Sequence, residues 1–453
     1  MVGLEGYNRR MNSRPHSSTS GQAPAAASAG ARFQIIVVGG GIVGKACALQ
    51  LGQLGLRVAL LAPPPATKSG GAQPWLAPGE SWDARIYALS ASAQALLEQL
   101  RVWPSLDTKR YQPVSDMRVF GDANARRGST DNDSGGDLHF SAYGAAVPQL
   151  AWIVESGHIE QTLDTALRFQ SHVTTFPHLG QALSLGPERA VLTLDDGRVL
   201  EAECVIGADG AGSWVRSACG IGVSARPYRQ LGVVANFRAE HAHQNTAWQW
   251  FLGAGSDEES AAAGVPAPGE ILALLPLPDN HLSMVWSAGE AHAAQLLALD
   301  DDQLVRAVEQ AAAGAVRARF GALQCITRPK GFPLTLQQAE VTVAHRMVLI
   351  GDAAHVVHPL AGQGVNLGLR DVAELGRVFA AKEAFRDYGD LRLLRRYARA
   401  RSEDVLALTA ATDGLQRLFA APGPLAYGMR NAGMRLVSAV APLKRLLVDR
   451  ALG

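Results

Sequence analysis

Val37-Val38-Gly39-Gly40-Gly41-Ile42-Val43-Gly44 lies close to the head of a 453-residue chain, and its reading decides the fold. Gly39, Gly41 and Gly44 stand at G-x-G-x-x-G spacing. A continuous, largely β-branched run, Phe33 to Val38, precedes them and predicts a buried strand; Ile42 to Leu54 predicts the helix that follows. In that setting each glycine has a separate task. One permits the tight turn, one lets a pyrophosphate approach the backbone, and one brings the helix close to the strand. The helix N-terminus then presents free N–H groups to the phosphates. The segment Ile35–Leu56 carries one charge, Lys45, but its interior glycines and change of period favour a strand and helix over a membrane span.

Working outward, the next strand, Arg57 to Leu61, should end in an acid that holds ribose hydroxyls; Ala62 stands there instead, followed by Pro63. Two further short apolar runs end in Gly/Asp turns. The first is Val205-Ile206-Gly207-Ala208-Asp209-Gly210-Ala211-Gly212-Ser213, with Arg216 beyond it, and the second is Val348-Leu349-Ile350-Gly351-Asp352-Ala353-Ala354-His355. Each puts a carboxylate at the carboxyl end of a strand, where open α/β sheets bind ligands. An Asp at that point can accept bonds from sugar hydroxyls or cap the next helix. Then comes His358-Pro359-Leu360-Ala361-Gly362-Gln363-Gly364-Val365-Asn366-Leu367-Gly368-Leu369-Arg370-Asp371. Pro359 stiffens this loop, Gly362 and Gly364 allow close approach of a ligand, and an amphipathic helix follows from about Val365.

Composition sets the frame. Hydrophobic residues make up 47% and charged residues 18%, which excludes wholesale disorder. The net charge is +1, so no nucleic-acid partner is expected. Cys47, Cys204, Cys219 and Cys325 form no CxxC pair, which argues against a disulfide scaffold or cysteine zinc site. His355 and His358 lack the Glu of a zincin motif, so no metal is expected; Cys47 reads as a small core residue. The 47 glycines exceed the usual share of ~7%.

Residues 1–30 read as a disordered tail or, through Arg9, Arg10 and Arg14 against Glu5 alone, as a mitochondrial transit peptide. Val191 to Leu200, with Asp196-Gly197 at its centre, predicts a β-hairpin. Residues 121–137 and 254–269 predict surface loops. Trp248 and Trp250 alternate as strand residues do, so one face of that strand packs on the core and the other is open to an aromatic substrate. From Leu391 onward the chain is helical in pattern and holds eleven Lys/Arg against four Asp/Glu. That segment is either a solvated basic face or a surface that docks on a membrane or partner.

Taken together, the three turn motifs resemble the FAD-dependent aromatic hydroxylases (class A flavoprotein monooxygenases). The run from His358 to Asp371 resembles the signature of the ubiquinone-biosynthesis hydroxylases at every specified position. Asp83-Ala84-Arg85-Ile86-Tyr87-Ala88-Leu89-Ser90, Leu150-Ala151-Trp152-Ile153-Val154-Glu155, Ala273-Leu274-Leu275-Pro276-Leu277 and the end of the chain from Leu425 agree with that family. Two positions depart from it: Ala62, and Trp250 where the family tends to have Arg.

The resemblance implies an α/β fold in which a Rossmann-like FAD-binding domain is discontinuous, spanning 31–225 and 326–385. An antiparallel-sheet substrate domain would occupy 226–325, with C-terminal helices over 386–453. It implies FAD as cofactor and NAD(P)H as a transient reductant. Arg85 and Asp352 would contact the phosphate and ribityl region, Gly362 to Asn366 (with Pro359 and Gln363) the flavin ring, and Asp209 and Arg216 the pyrophosphates. Trp248, Trp250 and Pro276 are the substrate-side candidates. The implied reaction is hydroxylation of a polyprenylated phenol by O₂ in ubiquinone biosynthesis; a soluble phenol, or a non-catalytic place among other ubiquinone-biosynthesis proteins, are the alternatives. The expected location is the cytoplasm, peripheral to the inner face of the membrane, or else the mitochondrial matrix face.

Overall fold

A computed structural model describes residues 31–63, 82–121, 137–254, 269–357 and 363–420. The expectations for the tail 1–30, for most of the loops 121–137 and 254–269, for His358, Pro359 and Gly362, and for the end of the chain from Leu425 lie outside the described residues.

The opening motif folds as read. Strand β1 (Ile35–Val38) is buried along its whole length and leads through the glycine turn into helix α1 (Ile42–Gln53), capped at Leu54. β2 (Val58–Leu61), β3 (Val173–Phe176) and β4 (Cys204–Gly207) lie parallel to it, with β1 between β2 and β4 and with β3 outside β2. Continuous apolar strands of this kind are covered on both faces. On one side Ile35, Val37, Leu60 and Ile206 pack against α1 and other helices. On the other, Ile36, Ala59 and Val205 pack on a small antiparallel sheet that contains the predicted hairpin, Ala190–Leu194 with Val199–Ala202. Its turn glycine, Gly197, has φ +84°, the left-handed conformation such a turn demands.

A second, nine-stranded sheet follows. Its centre is β5 (Val223–Ala239), β6 (Thr246–Ala254), β7 (Gly269–Leu277), β8 (His281–Gly289) and β9 (Lys330–Ala339). These pair antiparallel, and β6 also takes the strand Asp116–Phe120 in parallel. The sheet therefore draws strands from both sides of the 226–325 interval. One face is sealed by the helices Glu290–Ala298, Asp301–Ala311 and Ala315–Phe320, with Phe237, Trp250, Leu272, Met284 and Trp286 buried between. Each large apolar side chain so buried contributes ~1.5–3 kcal/mol.

The chain then returns to the first sheet. β10 (Met347–Leu349) lies parallel to β4, and helix α2 (Gln363–Ala380) packs on α1. Helix α3 (Leu391–Ala420) packs on α2.

Candidate active site

The carboxyl ends of β1, β4 and β10 open together into one cavity of about 1160 Å³, walled by the glycine turn after β1 and the Gly/Asp turns after β4 and β10. That exceeds the ~300–1,000 Å³ of ordinary small-molecule pockets. The three glycines after β1 differ in what surrounds them. A Cβ at Gly39 would sit 2.2 Å from the Ala208 carbonyl oxygen, and its φ of +132° is closed to other residues. A Cβ at Gly44 would sit 2.0 Å from the Gly39 carbonyl oxygen, so the helix rests directly on the turn. At Gly41 a Cβ would meet nothing within 4 Å, and that open side faces the cavity. Gly41 is the N-cap of α1 and offers no side chain to the first-turn N–H groups, which leaves them for an anion. Gly40 packs on Ala62, where a Cβ would lie 2.9 Å from the Ala62 Cβ.

The Asp209 turn does two things at once. Its Oδ2 accepts from the Val215 N–H (3.0 Å) and so caps a short helix, while Oδ1 has no hydrogen-bond partner among the described residues, and the residue lines the cavity. Arg216 differs from the expectation. It is buried, with Nη1 donating to the Ala353 carbonyl (2.9 Å) and Nη2 to the Ala211 carbonyl (2.8 Å). With both ends committed to protein backbone, its guanidinium is a brace between the second and third turns and does not reach a pyrophosphate.

The third turn is held from behind. Gly351 has φ +58°, and its N–H donates to Asp371 Oδ2 (2.8 Å). The same oxygen pairs with His355 Nε2 (2.7 Å), and Asp371 Oδ1 accepts from Arg401 Nε on α3 (2.7 Å). The pairing with His355 and Arg401 holds the fully buried Asp371 carboxyl below the usual range despite desolvation. Asp352, next to Gly351, faces the cavity; desolvation by the surrounding walls raises its pKa against the opposing pull of His355 and Arg85.

Arg85 is exposed to the cavity and has no ion-pair partner among the described residues. Its guanidinium stacks over Tyr87 (5.3 Å) and Phe332 (5.8 Å), and its backbone N–H is fixed by Asp83 Oδ1 (2.9 Å). Asp83 in turn donates its N–H to Glu155 (2.6 Å) and accepts from the Gly157 N–H (3.1 Å). Burial pushes the Glu155 carboxyl up to about 7. The segments around Arg85 and Glu155 thus form one clamp that presents a cation to the cavity.

Gly364 lines the cavity, and a Cβ there would meet nothing within 4 Å. Asn366 also borders it, yet its amide ties α2 to the Arg85 segment: Oδ1 accepts from Ser90 N–H (3.0 Å) and Nδ2 donates to the Ala88 carbonyl (2.8 Å). Gln363 opens α2.

One further wall of the cavity is the open face of the second sheet, and here the substrate-side expectation is corrected. Trp248 and Trp250 stack on Phe120 (centroids 5.5 and 5.6 Å) on the helix-covered face. Pro276 is buried and stands outside the cavity wall. Strand alternation instead sends Ala247 and Gln249 of β6, and Ala273 and Leu275 of β7, into the cavity, with Val285 and Ser287 of β8. Period-two reading offers both faces; an aromatic residue draws attention to the wrong one. His178 also borders the cavity without having been singled out by sequence. Its ring is held between Asp195 (2.8 Å) and Asp196 (3.3 Å), whose oxygens also accept from Leu179 N–H and Arg198.

These residues fit a flavin dinucleotide: an open helix N-terminus, an unpaired cation, two strand-end carboxylates and a glycine-floored recess share one space. The comparisons agree. The family described as FAD binding domain matches residues 143–412, and that described as FAD dependent oxidoreductase matches 34–111. The ubiquinone hydroxylase UbiL of Rhodospirillum rubrum is 34% identical, across 96% of this chain and 92% of its own length. The 3-demethoxyubiquinol 3-hydroxylase of Escherichia coli is 33% identical, across 93% of this chain and 98% of its own. Among solved structures, an HpxO variant of Klebsiella pneumoniae complexed with FAD shares the fold, with a TM-score of 0.67 at 17% identity, covering 93% of this chain and 99% of that one.

Proposed function

The chain belongs to the FAD-dependent hydroxylases of ubiquinone biosynthesis, and from that premise we propose that it hydroxylates the aromatic ring of a polyprenylated phenol, using O₂ and NAD(P)H. The observation that carries this reading is the continuity of the cavity. One space of about 1160 Å³ runs from the three strand-end turns to an apolar sheet face, with room for a dinucleotide and a ring side by side.

When bound, FAD supplies the redox chemistry that activates O₂. The protein's own residues do the rest. Gly41 and the α1 N-terminus receive the pyrophosphate, and Arg85 supplies the cation beside it. Asp352 and Asp209 accept from ribityl and ribose hydroxyls. Gly364, at the start of α2, leaves space for the flavin ring next to the positive end of the helix dipole. Ala247, Ala273, Leu275 and Val285 exclude water from the reacting ring and orient it. Together these residues bind, orient and shield the reactants, and little acid–base work is asked of them.

The reading is tested with purified protein reconstituted with FAD. Flavin absorbance and NAD(P)H oxidation coupled to a hydroxylated prenylphenol, in preference to a soluble phenol, are the expected result. Failure to hold flavin at all would instead support a non-catalytic member of a biosynthetic assembly, the reading that Ala62 favours.

Peripheral membrane association belongs to the same proposal, because a polyprenyl phenol partitions into the bilayer. No helix among the described residues is long and apolar enough to cross a membrane. The basic excess from Leu391 onward would attract an anionic surface. Sedimentation with anionic liposomes should carry down the full chain and release a 1–424 truncation; equal binding removes the segment from the proposal.

A further inference from the structure

We infer that Gln249 determines substrate specificity by hydrogen-bonding an oxygen substituent of the aromatic ring, an assignment that rests on the proposed function. The four central strands bring one row of side chains across the cavity face in register: Gln249, Ala273, Val285 and Val234. Three of the four are apolar. Gln249 is 8% exposed, lines the cavity, and has no hydrogen-bond partner for its carboxamide among the described residues. With no protein partner, the amide is left to whatever fills the cavity, and an apolar residue of similar volume would match the wall around it better. Its place on a wall that otherwise repels water is therefore explained by a ligand that satisfies it.

The amide offers one acceptor and two donors, so Oε1 can take a phenol O–H while Nε2 donates to a second ring oxygen. Ser287, 6% exposed, stands on the same sheet face in the adjoining row, paired with Ile271 and Gly232, and supplies a second small polar contact. The tryptophans on either side of Gln249 cannot share this role, since their rings are turned to the opposite core.

The consequence is a selectivity that an apolar wall alone cannot give. A site built to hydrogen-bond a hydroxyl discriminates strongly against the analogue that lacks it, whereas hydrophobic contact with the prenyl chain treats both alike.

The test uses the FAD-loaded full chain and two probes, 2-farnesylphenol and farnesylbenzene. Each dissociation constant is read from the perturbation of flavin absorbance. Wild type should prefer the phenol by about tenfold or more, and Gln249→Leu should bring the two probes to equality while leaving the FAD dissociation constant unchanged. Gln249→Glu, which keeps an acceptor, should retain the preference and so rescue the leucine phenotype. A Gln249→Leu protein that keeps the wild-type ratio overturns the assignment. A wild type indifferent to the hydroxyl overturns it too, even where hydroxylated product forms. Preference without product, by contrast, sinks the functional reading and leaves the Gln249 contact standing on the binding ratio.

Discussion

The two halves of the cavity are built by opposite means. The dinucleotide half is made largely of backbone: turns at the ends of three parallel strands, with glycines where a side chain would collide or block, and with Arg85, Asp209 and Asp352 as the charged side chains it adds. The sheet half is made of side chains on an ordinary pleated surface, where identity at alternate positions sets shape and polarity. The first half tolerates almost no substitution at its key points but says little about which ligand is chosen there. The second tolerates many substitutions, and each one retunes the choice.

The most severe way to break this contrast is Gly44→Val. A Cβ there would lie 2.0 Å from the Gly39 carbonyl oxygen, backbone that has nowhere to move. The expected outcome is loss of flavin and of most folded protein, read by flavin absorbance and thermal unfolding; a stable, flavin-loaded variant would show that the turn is not the support described.

Trp250→Ala probes the sealed face of the sheet. Removing a side chain 1% exposed should cost ~3–5 kcal/mol of stability, read by denaturant unfolding. The remaining folded protein should bind prenylphenol as before, because Trp250 faces away from the cavity. A specific loss of substrate binding would reverse the face assignment.

Gly364→Val is the complementary case. With nothing within 4 Å of its Cβ, the fold should keep its thermal midpoint, while turnover falls roughly 10²-fold through displacement of the bound ring. Wild-type turnover would remove Gly364 from the flavin wall.

The smallest expected effect is a pH slope. Glu155 is raised from 4.5 to about 7 in the fold, chiefly by burial. Across that window the native state binds more protons than the unfolded chain, so stability contributed by this group falls as pH rises and levels off above about 7. The thermal midpoint should decline over that range, and Glu155→Gln should flatten the decline. An unchanged slope in the variant would assign it to other groups.

This division also explains what could be read from sequence. Gly39, Gly41 and Gly44 were legible because backbone geometry restricts residue type at fixed spacing, and Asp209 and Asp352 because each follows a short apolar run whose carboxyl end meets the cavity. Arg216 was misread for the same reason: it follows a motif that touches ligand, yet its side chain turns back to brace two carbonyls, and only tertiary structure shows which way an arginine points. The face of β6 is a parity question. Alternation is plain in Ala247-Trp248-Gln249-Trp250, but which parity meets the cavity depends on the helices 290–320, and nothing local to the strand records them. The His355–Asp371–Arg401 chain was invisible because its members lie on the third turn, α2 and α3, which only the tertiary fold brings together.

That last chain sets a limit on how the molecule can be cut. Arg401 sits in the part of α3 that packs on the core, and through Asp371 it reaches the N–H of Gly351, beside the carboxylate that faces the cavity. A boundary drawn after residue 424 keeps this strut and removes only the segment to which docking is assigned by proposal. A boundary drawn before 401 removes both together. For engineering purposes, any cut in the basic end of the chain that is meant to spare the third turn falls on the C-terminal side of Arg401.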